Sequence, residues 1–145
     1  MRSTYSLKAS DIKRKWYVVD ATGHTLGRLS SEIAKVLSGK NKPNYGPNLD
    51  NGDYVIVVNA DKLQIAEKKL NQKVYRHHSG YPGGLKTTTM KVMMQKKPCF
   101  ILEHAIKGML PKNNMGRQMY KKLFVYDTPD HEHAAQKPEV LEIKY

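Results

Sequence analysis

The stretch that decides the fold is "KWYVVDATGHTLGRLSSEIAKVLSG", residues 15–39. Its first part, residues 15–21, is an apolar, β-prone run that predicts a buried strand. A turn with the sequence TGHT follows. In residues 25–39 the apolar side chains recur at helical spacing, and Gly39 suits the end of a helix. The stretch therefore predicts a strand, a tight turn and an amphipathic helix.

The next apolar run completes a recognisable unit. Residues 39–52 are rich in Pro, Gly and Asn and predict a loop. "DYVIVVNA", residues 53–60, is a Val-rich run of the kind that parallel sheets bury on both faces. Strand, helix and strand in this order predict a βαβ unit, and with it an α/β fold.

The rest of the chain predicts further short elements. Residues 73–79 are a weaker strand candidate, and residues 87–97 look helical, with a threonine as the N-terminal cap. The segment 98–110 predicts a helix with a proline in its first turn and Pro111 after its end. The remaining predicted elements are a short helix over 114–122, a last strand over 123–127 and a tail, 128–145, along the surface.

Composition limits the class of protein. A chain of 145 residues is long enough for one domain with a real core. It contains no long apolar run of the kind that spans a membrane, and its N-terminal residues lack the apolar region of a secretory signal. The single cysteine, Cys99, agrees with a reducing compartment and a packing role. No internal repeat or second domain is evident.

The distribution of charge is the most informative feature. The net charge is +12, and residues 68–126 hold 13 basic residues against one acidic residue, Glu103. Soluble surfaces usually mix both signs. The positive charges on such a folded segment repel one another unless a polyanion neutralises them. Nucleic acid is one candidate polyanion. The alternatives are that the basic face has no partner, or that it binds an anionic membrane. The basic residues lie in several short elements separated by Gly and Pro, which favours a shaped surface that meets phosphates at many points over a membrane helix.

Motifs for catalysis or cofactor binding are weak. "DATGHTLGR", residues 20–28, is a glycine turn before a helix, but it matches neither dinucleotide-binding nor P-loop spacing, so a tight βα connection is the simpler interpretation. The histidine pairs His77-His78 and His131-x-His133 lack further ligands at useful spacing. No nucleophile–base pattern and no carboxylate pair is evident in the basic segment. We therefore expect neither an enzyme nor a cofactor.

Two segments stand out as candidate nucleic-acid contacts. "HHSGYPGGLK", residues 77–86, combines backbone-permissive glycines with Tyr81 and basic side chains, and aromatic rings of this kind can stack on RNA bases. A hairpin loop with a packed tyrosine is the alternative. "AIKGMLPKNNMGRQMYKKLFVY", residues 105–126, interleaves cations with apolar residues. We expect Ile106, Met109 and Leu110 to face the core. We expect Gly116 and Arg117 to open toward the partner, and Lys121 and Lys122 to point outward.

Five motifs together resemble one known family. They are "KWYVVDATGHTLGRLSSEIAKVLSGK", "DNGDYVIVVNADK", "KVYRHHSGYPGGLK", the 105–126 segment and "HEHAAQKPEVLEI", in register from about residue 12 to residue 143. In this respect the chain is similar to the bacterial form of the thirteenth protein of the large ribosomal subunit. The resemblance implies a single three-layer α/β/α domain on a four-stranded, mostly parallel sheet. We expect residues 1–14 to form a basic N-terminal extension and residues 128–145 to form a C-terminal tail.

The resemblance also implies a function. It implies a cytoplasmic, non-enzymatic constituent of the large ribosomal subunit that binds large-subunit rRNA, contacts neighbouring ribosomal proteins and acts early in assembly. No active site and no metal come with the family. A nucleotide-using enzyme and a nucleic-acid binder outside the ribosome remain the competing hypotheses. The residues expected to contact RNA are Lys68, Lys69, Lys73, Arg76, His77, His78, Tyr81, Gly83, Gly84, Lys86, Lys107, Lys112, Arg117, Lys121 and Lys122.

Overall fold

A parallel sheet organises the structure, a computed structural model that describes residues 7–143. The strands are β1 (Trp16–Asp20), β2 (Tyr54–Val58), β3 (Val74–His78), β4 (Leu85–Thr89), β5 (Leu123–Val125) and β6 (Glu139–Val140). The helices are α1 (Leu26–Ser38), α2 (Glu67–Gln72), α3 (Met90–Lys96), α4 (Pro98–Met109) and α5 (Asn114–Tyr120). Short 3₁₀ turns lie at Ala9–Asp11, Ala60–Lys62 and Ala134–Gln136.

Four strands form the main sheet in the order β5-β2-β1-β6. Every neighbouring pair is parallel, and Val18 of β1 lies between Ile56 of β2 and Val140 of β6. The unit β1-α1-β2 is the βαβ unit expected from the sequence. Helix α1 ends where predicted, because Gly39 takes a left-handed conformation with φ of 78°. The prediction of an α/β domain on a four-stranded, mostly parallel sheet is confirmed.

The two faces of the sheet have different coverings. On one face, Val19, Val55 and Val57 join the buried core with residues of α1 and α4, among them Leu29 and Ile106. Side chains alternate along a strand, so the intervening residues belong to the other face.

That second face carries an aromatic group. The Trp16 ring stacks on Tyr54 with centroids 4.2 Å apart, and its centroid lies 5.7 Å from that of Phe124. His133, from the chain that follows β5, contacts both the Trp16 and the Phe124 rings. The C-terminal tail therefore contributes to the packing of the sheet.

Two element predictions need correction. The segment 87–97 is not helical throughout, because the β-branched Thr87–Thr89 stretch pairs with β3 and the helix begins only at Met90. Thr89 stands at the N-cap but makes no side-chain capping bond. The tail does not simply lie along a surface, since Glu139–Val140 adds the fourth strand of the main sheet.

The extensions are described in part. Residues 1–6 and 144–145 lie outside the described residues, so the predicted N-terminal extension is seen only from Leu7, which is buried, through the 3₁₀ turn at Ala9–Asp11. In the tail, the 3₁₀ turn Ala134–Gln136 links His133 to the β6 strand.

Candidate nucleic-acid interface

The exposed basic side chains of the predicted interface lie in two places on the structure. The first, here the hairpin cluster, lies on α2 and on the β3–β4 hairpin. The second, here the ridge cluster, runs from the end of α4 to the end of α5. The hairpin cluster comprises Lys68, Lys69, Lys73, Arg76, His77, His78 and Lys86. The ridge cluster comprises Lys107, Lys112, Arg117 and Lys121.

The four cations of the ridge cluster line one concavity of about 680 Å³. Its other lining residues include Pro111 and Tyr120, and the Lys107 Nζ lies 5.6 Å from the centroid of the Tyr120 ring. The sequence pattern therefore predicted residues that the fold brings together. A concave surface rimmed by four positive charges can hold a phosphate backbone and admit part of a nucleotide.

A tight turn gives the ridge cluster its shape. Helix α4 ends at Met109, and α5 begins after Asn113, whose side chain accepts a hydrogen bond of 2.9 Å from the Gly116 backbone N–H. Gly116 is buried, and a Cβ at this position would overlap the carbonyl oxygen of Pro111. Gly116 therefore allows α5 to pack on the turn and does not open toward a partner as expected.

The predicted orientations of two other side chains in this segment are wrong. Ile106 and Leu110 face the core, but Met109 is 47% exposed because it lies on the outer side of the last turn of α4. Lys122 does not point outward, since it is only 4% exposed.

Lys122 belongs to a buried ion pair. Its Nζ lies 2.5 Å from Asp50 Oδ1 and donates a second hydrogen bond of 3.2 Å to the Leu37 carbonyl oxygen. Burial lowers the pKa of Lys122, and the hydrogen bond to Asp50 opposes this shift. A buried, paired ammonium group has no access to RNA, so we remove Lys122 from the interface.

The acidic partners form a group that sequence reasoning missed. Asp53 is fully buried, and its Oδ1 accepts hydrogen bonds from Lys42 Nζ at 2.7 Å and from the Lys15 backbone N–H at 2.8 Å. Between the two aspartates, a Cβ on Gly52 would overlap the Leu37 carbonyl group. The available signal was "DNGD", residues 50–53, two acids around a glycine directly before a buried strand. These acids tie the 39–52 loop to the domain and neutralise internal cations.

The hairpin carries its cations on an antiparallel pair of strands. Arg76 lies opposite Thr87, and His77 lies opposite Lys86. Tyr81 stands near the tip and is 76% exposed, which agrees with a stacking role. Tyr75 is different, because it packs edge-to-face against Phe100 and His104 of α4 and anchors the hairpin to the domain.

The glycines near the tip have roles within the protein. Gly83 has φ of 71°, a left-handed conformation that favours glycine. A Cβ on Gly84 would overlap Ser79 Oγ and lie 2.8 Å from the Tyr81 carbonyl oxygen. The Gly84 N–H also donates a hydrogen bond to that carbonyl. Both glycines are required by the turn itself, so their predicted contact with RNA stays a prediction without separate support.

The charge of the segment that carries the two clusters is almost entirely positive. Of the 13 basic residues in 68–126, all except Lys122 are exposed, and in the part of the chain that the structure describes none of these exposed ones forms a salt bridge. The one acid of the segment, Glu103, is half-buried and lies near Tyr120. The pKa of Tyr120 is raised, first by burial and then by the Glu103 charge. The clusters therefore present positive charge that the protein itself does not neutralise.

Other kinds of site find little support. Within residues 7–143, no group of three or more His, Cys, Asp or Glu side chains is arranged to hold a metal ion. No helix over the same residues has the length and apolar character needed to cross a membrane. The glycine turn before α1 is a tight connection, in which Gly23 has φ of 73°.

The fold and its surface define a class, that of basic α/β domains with a surface suited to a polyanion. The family model for ribosomal protein L13 matches residues 14–132. The large ribosomal subunit protein uL13 of Lachnospira eligens is 65% identical over 138 residues, which are 95% of this chain and 97% of the relative. That of Agathobacter rectalis is 63% identical over 139 residues, which are 96% of this chain and 98% of the relative. That of Lachnoclostridium phytofermentans is 63% identical over 142 residues, which are 98% of this chain and 99% of the relative. The chain belongs to the ribosomal protein L13 family.

Membership establishes the general role. Proteins of this family are structural, non-enzymatic constituents of the large ribosomal subunit, which lies in the cytoplasm of bacteria. The expectations of a ribosomal family and of a non-enzyme are thus confirmed, and the competing hypothesis of a nucleotide-using enzyme is removed.

Proposed function

We propose that this chain binds large-subunit rRNA through the hairpin and ridge clusters and joins the subunit early in its assembly. The observation that carries the proposal is the set of exposed, unpaired cations in two clusters on one segment of the chain. RNA phosphates are the polyanion that a protein of the large subunit meets, and each neutralised phosphate releases counterions and stabilises the complex. Neighbouring large-subunit proteins are the other proposed partners.

The proposal is tested by removing charge from the ridge cluster. Arg117→Ala combined with Lys121→Ala takes away two exposed cations, and surface changes of this kind leave stability within about 0.5 kcal/mol. We expect an unchanged melting temperature and reduced occupancy in purified large subunits. The matched control, Lys8→Ala with Lys13→Ala, removes two exposed cations outside both clusters and should reduce occupancy less. An early melting transition of the ridge variant would identify these residues as structural and contradict the proposal.

The timing of assembly needs a separate measurement. After a short pulse of labelled amino acids, a protein that joins early appears in precursor particles before it appears in complete subunits. We expect this chain in the lightest large-subunit precursors. Its appearance only in complete subunits would leave rRNA binding intact and contradict the early role.

A further inference from the structure

The outer face of the β3–β4 hairpin is open. Side chains alternate along the strands, so one face carries Val74, Arg76 and His78 of β3 and their partners on β4, which are Thr89, Thr87 and Leu85. All six residues are exposed, and Leu85 is 57% exposed. The inner face is the one that packs on the domain, through Tyr75.

The hairpin is held firmly in spite of this open face. The Tyr75 ring centroid lies 5.8 Å from that of Phe100 and 5.4 Å from that of His104. At its base, the Met90 N–H donates a 2.9 Å hydrogen bond to the Lys73 carbonyl oxygen, and α3 follows β4 without a linker. The outer face is thus presented by a supported ribbon.

The chemistry of the outer face is specific. It combines one arginine, one histidine, two threonine hydroxyls and two aliphatic side chains, with no acid and no Phe, Tyr or Trp. The small imidazole of His78 is the one ring on this face, and the absence of Phe, Tyr and Trp disfavours the extended stacking on unpaired bases by which single-stranded RNA is usually recognised. Hydroxyl groups and aliphatic side chains suit ribose, and the Arg76 guanidinium suits a flanking phosphate.

The dimensions agree with a duplex. A five-residue strand is about 17 Å long, and two paired strands lie about 4.8 Å apart, which makes a narrow ribbon. The minor groove of A-form RNA is wide and shallow and displays 2′-hydroxyl groups. We propose that the outer face of the hairpin lies in the minor groove of an RNA duplex, with Thr87 and Thr89 toward the 2′-hydroxyls. This inference rests on the proposed rRNA binding and adds the kind of RNA structure and the contacting face.

The single cysteine makes a direct test possible. Burial and the nearby Asp127 raise the pKa of the Cys99 thiol to about 12. Cys99→Ser keeps a donor for the Asp127 carboxylate, which the thiol contacts at 2.6 Å. In that background, Pro82→Cys places a thiol at the hairpin tip and Thr89→Cys places one at the base of the outer face. Each variant is labelled with an iron–EDTA tether, assembled into large subunits and induced to generate hydroxyl radicals.

We expect cleavage of both strands of one rRNA helix, with the two sets of cuts offset toward the 3′ side, as strands facing each other across a minor groove require. Cuts confined to unpaired nucleotides, or no cuts from either hairpin position, would overturn the inference. Gln118→Cys, on α5 next to Arg117 of the ridge cluster, is the reference position. Cuts from the Gln118→Cys position alone would support the proposed rRNA binding and contradict the hairpin contact. Occupied subunits with no cuts from any of the three positions would contradict the proposed rRNA binding as well.

Discussion

Lys121 and Lys122 are adjacent in the chain and have opposite surroundings. Lys121 is exposed at the ridge cluster, whereas Lys122 is buried against Asp50 and Leu37. A lysine pair after a short helix gives no indication of which side chain turns inward. The deciding partner, Asp50, lies 72 residues away in the chain, and its position follows only from the packing of the 39–52 loop.

Lys122→Ala is expected to lower the free energy of unfolding by about 3 kcal/mol, because it removes the buried partner of Asp50 and leaves that carboxylate only the longer contact with the partly exposed Arg14 guanidinium, at 3.8 Å. Lys121→Ala, the adjacent control, should change it by less than about 0.5 kcal/mol. Urea unfolding of both variants measures the difference. Equal small effects would mean that the Lys122–Asp50 pair is open to solvent in solution.

Gly116→Ala is expected to destabilise the domain by about 3 kcal/mol or more, since the added methyl group overlaps the Pro111 carbonyl and the turn must move. Gly108→Ala is the matched control. Gly108 lies in α4 with open space around its Cβ position, so alanine should stabilise the helix by about 0.5–1 kcal/mol. Thermal unfolding that shifts both variants in the same direction would contradict this account of the turn.

The helices and strands that the sequence predicted correctly are those with a clear local pattern of apolar residues. The βαβ unit, the α4 helix with its N-terminal proline and the α5 helix were all evident from apolar spacing and from Pro or Gly at element ends. The strands that form by pairing with partners distant in the chain were not evident from these local patterns. β4 carries Thr87–Thr89, which reads as a helix start until its pairing with β3 is known, and β6 is too short to give a pattern.

The candidate interface was likewise predictable in part: its position in the sequence was, and the orientation of its side chains was not. Charge counting identified the segment and most of its exposed cations, because an excess of 13 basic residues over one acid is a property of composition. It did not separate the cations that reach the surface from the one that is buried. Nor did it reveal that Tyr75 anchors the hairpin while Tyr81 stays exposed, since that distinction depends on the position of α4.

Tyr75→Ala is expected to loosen the hairpin while leaving the main sheet intact. A two-stranded hairpin is marginal in water without a surface to pack on, and the ring supplies that contact with Phe100 and His104. Hydrogen exchange should accelerate at least tenfold for the amides of β3 and β4 and remain unchanged in β1 and β2. Tyr81→Ala, at the exposed tip, is the control and should alter neither. Acceleration throughout the domain would show that the hairpin unfolds only with the core.

For the whole molecule, the proposed binding predicts a steep dependence on salt. If about six exposed cations neutralise phosphates, raising monovalent salt from roughly 50 to 200 mM should weaken binding to a large-subunit rRNA fragment about a thousandfold. Filter binding or fluorescence anisotropy over a salt series measures the slope. The Arg117→Ala, Lys121→Ala variant should show a slope smaller by about two. A nearly flat dependence would exclude phosphate contacts as the main source of affinity.

The order of the strands also bears on how the chain is made. β1 and β2 pair as soon as residues 16–58 are available, but β5 adds to β2 only from residue 123 and β6 adds to β1 only from residue 139. During synthesis the two outer strands therefore appear after β1 and β2, and the edges of this Val-rich pair stay unpaired until residues 123–140 have been made. Exposed strand edges of this kind are sites of misassociation. The nascent chain thus passes through a period, set by the rate of elongation, in which the hairpin cluster has been synthesised and the sheet is still unfinished.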